Sequence, residues 1–163
     1  MKNVLDAQTG AGKTWSNALL SEALKEAKTS GWIRFAAQLP PSFGQEMQKM
    51  GDSFQPFAAV QIISGSVAFE GADGSAATFD LKMRTPSTNE ASQLENHLKS
   101  LVFMGKAFLG DNKDPQMQAI NQVLDRVEIG AQANNVSLSI SLSKELMGLF
   151  NETKKKAPAI IAR

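Results

Sequence analysis

SVAFEGADGSAATFDLKMRT, Ser66 to Thr85, is two alternating runs on either side of a break. Val67 and Phe69 precede the break and Phe79, Leu81 and Met83 come after it, with polar or small residues between them. A period of two puts the apolar side chains on one face of an extended chain. Ala72 to Ser75 contains the turn-forming pair Asp73-Gly74, so the two runs predict a β-hairpin. A turn this short cannot carry a parallel crossover, and the strands are therefore antiparallel.

The residues beyond the hairpin are also periodic, with a different period. Ser87 and Glu90 stand in capping-box spacing, and Ala91, Leu94, Leu98, Leu101, Val102 and Phe108 fall on an inward stripe of a long helix that Gly110 to Asn112 ends. A further helix runs from Pro115 to about Leu124. RVEIGAQANNVSLSISLS, Arg126 to Ser143, then repeats the first pattern around Ala133 to Asn135, and KELMGLFNETKKK continues it as a helix. Val67 and Phe69 correspond to Val127 and Ile129, and Phe79, Leu81 and Met83 to Leu138, Ile140 and Leu142. The repeated unit is strand, turn, strand, helix.

Upstream, Trp15, Leu19, Leu20, Ala23, Leu24 and Ala27 mark an amphipathic helix that Ser30-Gly31 closes. GWIRFAAQL, Gly31 to Leu39, alternates as a strand that Pro40 and Pro41 end, with a short helix from Ser42 through Met50. Trp32 to Met50 thus resembles the second half of the unit alone. FQPFAAVQII, Phe54 to Ile63, reads either as a last helical turn or as the start of a strand. Together these elements predict an α+β fold, a two-layer sandwich of about five mainly antiparallel strands with helices on one face. Residues 1–13 read as an N-terminal arm, 14–153 as a single domain and 154–163 as a tail.

Composition narrows the function classes. A chain of 163 residues supports one core, and 17 basic against 16 acidic side chains create no field to draw in nucleic acid. The absence of cysteine excludes disulfides, thiolate metal sites and cysteine nucleophiles, and with no tyrosine and one histidine the usual catalytic side chains are scarce. No run reaches the roughly 18 apolar residues of a spanning helix, and Met1 to Gly10 lack a signal-peptide core. If the protein is exported, its signal has been removed.

One stretch points to nucleotide chemistry. AQTGAGKT, Ala7 to Thr14, resembles the first motif of superfamily 2 helicases, a phosphate loop in which Lys13 would meet the terminal phosphates and Thr14 the metal. Gly10 and Gly12 supply the backbone such a loop needs, and Ala7 stands where a glycine is commoner. The surroundings do not fit: MKNVL is too short and polar for a central strand, no apolar strand ends in a second carboxylate, and two helicase lobes have no room. Gly10, Gly12, Lys13 and Thr14 are therefore read as the approach to the first helix, and no cofactor is implied.

The remaining candidates read as structural. His97 falls on the polar side of its helix without a second histidine to share a metal. Asp73 is a turn residue. Glu70 and Asp80 could meet across the hairpin as an acid and base pair, yet outward strand acids are routine. The methionines fill apolar faces. Trp15 and Trp32 flank the first helix as core or interface anchors. Lys154 to Ala162 joins lysines to an apolar patch that could be a solvated end, a linker or a strand donated to a partner.

Ser66 to Leu94 and Arg126 to Phe150 resemble a pattern in uncharacterised exported or membrane-tethered bacterial proteins, a hairpin followed by a helix. The resemblance implies an extracytoplasmic α+β domain, periplasmic or extracellular, without assigned catalysis. The expected function is binding or scaffolding of a protein partner through an edge strand or an exposed sheet face, with SLSISLS, Ser137 to Ser143, as the best outward face. The alternative is a small ATP- or GTP-binding protein using Gly10 to Thr14.

Overall fold

The computed structural model describes residues 18–27, 31–70, 76–110, 114–146 and 148. Five strands form one sheet: β1 (Ile33–Gln38), β2 (Ile62–Glu70), β3 (Ala76–Arg84), β4 (Val127–Gln132) and β5 (Asn135–Leu142). Their order is β1-β2-β3-β5-β4 and every neighbouring pair is antiparallel. With its helices this is the α+β fold that the two hairpins predict.

The register sorts the side chains cleanly. Phe79, Leu81 and Met83 of β3 lie opposite Val67, Gly65 and Ile63 of β2 and opposite Ile140, Leu138 and Val136 of β5, which makes one face apolar across the sheet. The other face carries Ser64, Ser66, Asp80, Lys82, Ser137 and Ser139. The apolar residues of both hairpins assigned to one side from the alternation do share it.

A 3-10 helix and a long helix cover part of the apolar face, and a short helix packs on the first of them. α2 (Pro41–Lys49) comes after Pro40 with a proline at its first position, where the missing N–H costs nothing. A 3-10 helix (Asp52–Ala59) is next, and β2 begins at Ile62, so Phe54 to Ile63 holds a helix end and a strand start in succession. α3 (Thr88–Leu109) starts where the capping box predicts: Ser87 Oγ accepts from the Glu90 N–H and donates to Glu90 Oε2 at 3.0 Å. Its Ala91, Leu94 and Leu98 bury against Val60, Met83 and Val136, with Phe57, Ile129 and Ala131 packed around them.

α4 (Pro115–Asp125) returns along α3, capped by Asp114, whose carboxylate accepts from the Gln116 N–H at 2.8 Å. Lys106 of α3 pairs with Asp125 at 2.9 Å. Gly105 is the point of closest approach, since a Cβ there would stand 3.1 Å from the Leu124 side chain. Phe108, expected to point inward, is exposed, because the apolar stripe of α3 runs on past the strands it covers.

One helix departs from the expected single-sided arrangement. α1 (Ala18–Glu26) lies on the serine face over β1 and β2. Glu26 reaches Arg84 at 3.0 Å and Lys82 at 3.5 Å, Glu22 reaches Arg84 at 3.3 Å, and Arg84 Nε donates to Asn135. The alternation of β3 sends these two cations away from Met83, and the acidic side of α1 goes with them.

The β4–β5 turn is fixed to the other hairpin. Thr85, fully buried, donates its N–H to the Asn134 carbonyl at 2.9 Å, and the Asn134 amide returns a bond to the Thr85 carbonyl. After β5, residues 144–146 and 148 are helical. A hydrogen bond from Ser143 is the main cause that holds the exposed Glu145 carboxyl below its ordinary range.

Candidate interaction surface

β1 and β4 are the two edges, and both alternate over six residues, IRFAAQ and VEIGAQ. On β1 the apolar side chains face solvent, Ile33 57% and Phe35 39% exposed, and Trp32, just before the strand, is 79% exposed. Trp32 packs edge-to-face on Phe69 with centroids 6.0 Å apart, so the two rings form one aromatic corner where β1 meets β2.

The seat of β1 is set by a glycine. Phe35 lies opposite Gly65, and a Cβ at Gly65 would sit 2.7 Å from the Phe35 ring and 2.5 Å from the Asp80 carbonyl. Only a residue with no side chain lets that ring lie flat on β2.

One bond gives the direction of the backbone. Leu39 donates its N–H to the Gln61 carbonyl at 2.8 Å, so the odd-numbered residues of β1 bond to β2. Arg34 and Ala36 therefore turn their N–H and C=O groups outward along the edge. No proline, bulge or cluster of charge blunts this strand, whose one ionic side chain is Arg34.

The opposite face is polar and small. Arg34, Ser66, Asp80, Ser139 and Glu128 form one cross-strand row over all five strands. Ser139 donates to the Asp80 carboxylate at 2.9 Å. With Glu26 and Ala27 as one wall, this face forms a shallow groove of about 260 Å³ in which Ser66 is buried and its hydroxyl has no partner among the described residues. Ser137 and Ser141 are exposed, so the serines of Ser137 to Ser143 do face outward, but β5 is bonded on both sides and cannot accept another strand.

The other sequence candidates separate. Gly10, Gly12, Lys13 and Thr14 lie outside the described residues, as do Trp15, Asp73 and the tail from Lys154. Among the described residues the sheet has no parallel pair of the kind that feeds a phosphate loop. Glu70 pairs with Ala76 and Asp80 with Ser66, so the two acids stand about 13 Å apart along the hairpin and not face to face. His97 is not an exposed helix residue: it is half-buried, its ring meets Phe57 edge-on at 5.8 Å, and Nε2 is buried without a partner among the described residues. Of the methionines only Met83 is fully buried among the described residues, while Met50 and Met104 are exposed.

Alternation alone did not signal the importance of β1, because Ile33, Phe35 and Ala37 read as a strand buried on one side. The signal that could have done so was its place as a lone half-unit ahead of two full hairpins, which leaves it without a second neighbour. Among the described residues, no three His, Asp or Glu side chains converge to hold a metal, and no helix is long and apolar enough to cross a membrane. No family model, curated protein or solved structure matches the chain.

Proposed function

We propose that this protein is a non-enzymatic binding or scaffold domain that takes an extended, alternately apolar segment of a partner protein along β1. The observation that carries the reading is an unblunted edge strand whose apolar side chains, Ile33 and Phe35, face solvent next to the exposed Trp32. Backbone groups of Arg34 and Ala36 would supply the main-chain bonds, and the corner of Trp32 and Phe69 would select an apolar side chain. The patterned resemblance to exported bacterial proteins extends the proposal to an extracytoplasmic setting.

The test uses a displayed library of random extended peptides selected on the wild-type protein. Enriched peptides are expected to alternate apolar and polar residues and to lose binding to Ala36→Pro, which removes an outward N–H and leaves the bonds to β2 in place. Enrichment that survives Ala36→Pro undiminished, or none at all, overturns the reading. Calorimetry with ATP and magnesium tests the alternative: no heat is expected from wild type, and micromolar binding that Lys13→Ala abolishes would favour a phosphate loop.

A further inference from the structure

The strands send three cationic side chains to the serine face, and two of them are neutralised within the chain. Glu26 holds Lys82 and Arg84, and Glu22 holds Arg84. The third, Arg34 of β1, is exposed and makes no ion pair among the described residues. On its inner side stands the small, buried Ser66. The next carboxylate in that row, Asp80, is two strands away, about 9.5 Å between backbones, and accepts from Ser139. Above it, both glutamates of α1 are engaged with Lys82 and Arg84. The side from which a carboxylate can still come up beside Arg34 is the open edge.

The backbone makes the same position special. Arg34 turns its N–H and C=O outward, so one residue of an added antiparallel strand exchanges both bonds with it, the two Cα atoms about 5.5 Å apart. The side chain of that residue stands on the serine face, next to the guanidinium. Its two neighbours in the added strand alternate to the other face, opposite Ile33 and Phe35, which are exposed and apolar. Three successive positions of a partner thus meet an apolar, a cationic and an apolar side chain.

We propose that the segment taken by β1 is acidic at its centre: an aspartate or glutamate opposite Arg34, with an apolar residue on either side of it. This rests on the function proposed for β1 and names the partner chemistry of that site. Arg34 then fixes the register. Alternation by itself forbids a slip of one residue, which exchanges the faces, and permits a slip of two. A slip of two leaves the acid beside Ala36 and Arg34 without it, so the one charge on β1 removes the ambiguity that the apolar pattern leaves. A cross-strand ion pair is modest and like charges oppose by a similar amount, so exchanging the acid for lysine is expected to weaken binding about fivefold.

The test selects the displayed library of extended peptides in parallel on wild type and on Arg34→Glu. Peptides enriched on wild type are expected to carry aspartate or glutamate between two apolar residues, and those enriched on Arg34→Glu to carry lysine or arginine there. Synthetic peptides with a Val-Glu-Val or a Val-Lys-Val core, which differ little in strand propensity, are then titrated by calorimetry. Wild type is expected to favour the glutamate form about fivefold, less at high salt, Arg34→Gln to show no preference, and Arg34→Glu to reverse it. Arg34 is exposed, so unchanged unfolding curves are expected for both variants. Equal affinity of wild type for the two forms, or a preference that Arg34→Glu leaves as it was, overturns the proposal. If the enriched peptides lack the acid and still lose binding to Ala36→Pro, this inference fails and the reading of β1 stands. Enrichment on neither protein overturns both.

Discussion

β1 and β4 are edges of equal length with similar alternation, and they face opposite situations. Ile129 and Ala131 of β4 sit beneath α3, and what that strand shows to solvent is Glu128 and Gln132. Ile33 and Phe35 of β1 carry the same pattern and are exposed, with no helix above them at that end among the described residues. An edge is therefore made sticky or safe by what packs over its face, since backbone groups at both edges are alike. The same contrast leaves accessible apolar surface at the Ile33 and Phe35 end of β1, although the core that covers β4 also takes in Leu39, Ile63 and Met83.

The largest expected effect breaks the covered side. Leu94→Ala removes a fully buried side chain at the centre of the α3 contact and should cost about 3 kcal/mol, given how poorly such sites collapse. Denaturant unfolding measures this, and hydrogen exchange should show the amides of β4 losing more protection than those of β1. A loss below about 1 kcal/mol would mean that α3 does not hold the β4 edge.

Gly65→Ala attacks the seat of β1 and should cost about 2 kcal/mol, because Phe35 and the Asp80 carbonyl both stand in the way of the new methyl. Phe35→Leu in the Gly65→Ala background should recover part of the loss, since the ring yields and the carbonyl does not. Strict additivity of the two changes, measured as a double-mutant cycle, would show that the ring does not rest on the glycine.

These energies also explain what was legible beforehand. Both hairpins, the Ser87 cap and the helices over 88–109 and 115–125 were readable because each is set by local terms: alternation, turn residues, and a hydroxyl three residues before a glutamate. The place of β1 at an edge and of β5 in the interior was not, because strand order is decided by which faces and ends meet in space. α1 crosses to the serine face for a reason that lies far off in the sequence, the paired cations at Lys82 and Arg84. Phe108 was misread because helical spacing does not say how far along the helix the cover extends, and His97 because spacing does not foresee the 3-10 helix that brings Phe57 against the flank of the stripe. The sequence thus left "an edge or a face" open, and the strand order shows that β1 is an edge and β5 is not.

A smaller effect of opposite sign lies in the β4–β5 turn. Ala133 has φ 51°, a left-handed conformation that a Cβ opposes, in a two-residue connection where glycine is favoured. Ala133→Gly should raise stability by about 0.5–1 kcal/mol, the relieved strain less the added freedom of the unfolded chain. Loss of stability would mean that the bonds between Thr85 and Asn134 depend on the alanine holding the turn.

The smallest expected effect on stability separates the two edges most sharply. Ile33→Thr keeps a β-branched side chain on an exposed position of β1, so unfolding should move by less than about 0.5 kcal/mol. Ile129→Thr, at a matching inward position on β4 under α3, buries a hydroxyl and should cost about 2 kcal/mol. Binding of the selected peptides should invert that order. It should weaken at least about tenfold for Ile33→Thr, which removes an apolar contact worth roughly 1.4 kcal/mol, and stay unchanged for Ile129→Thr. Equal peptide affinity for both variants would show that the ligand does not lie along β1, even if both stability changes came out as expected. The two measurements together distinguish an edge that the fold needs from an edge that the fold leaves open to a partner.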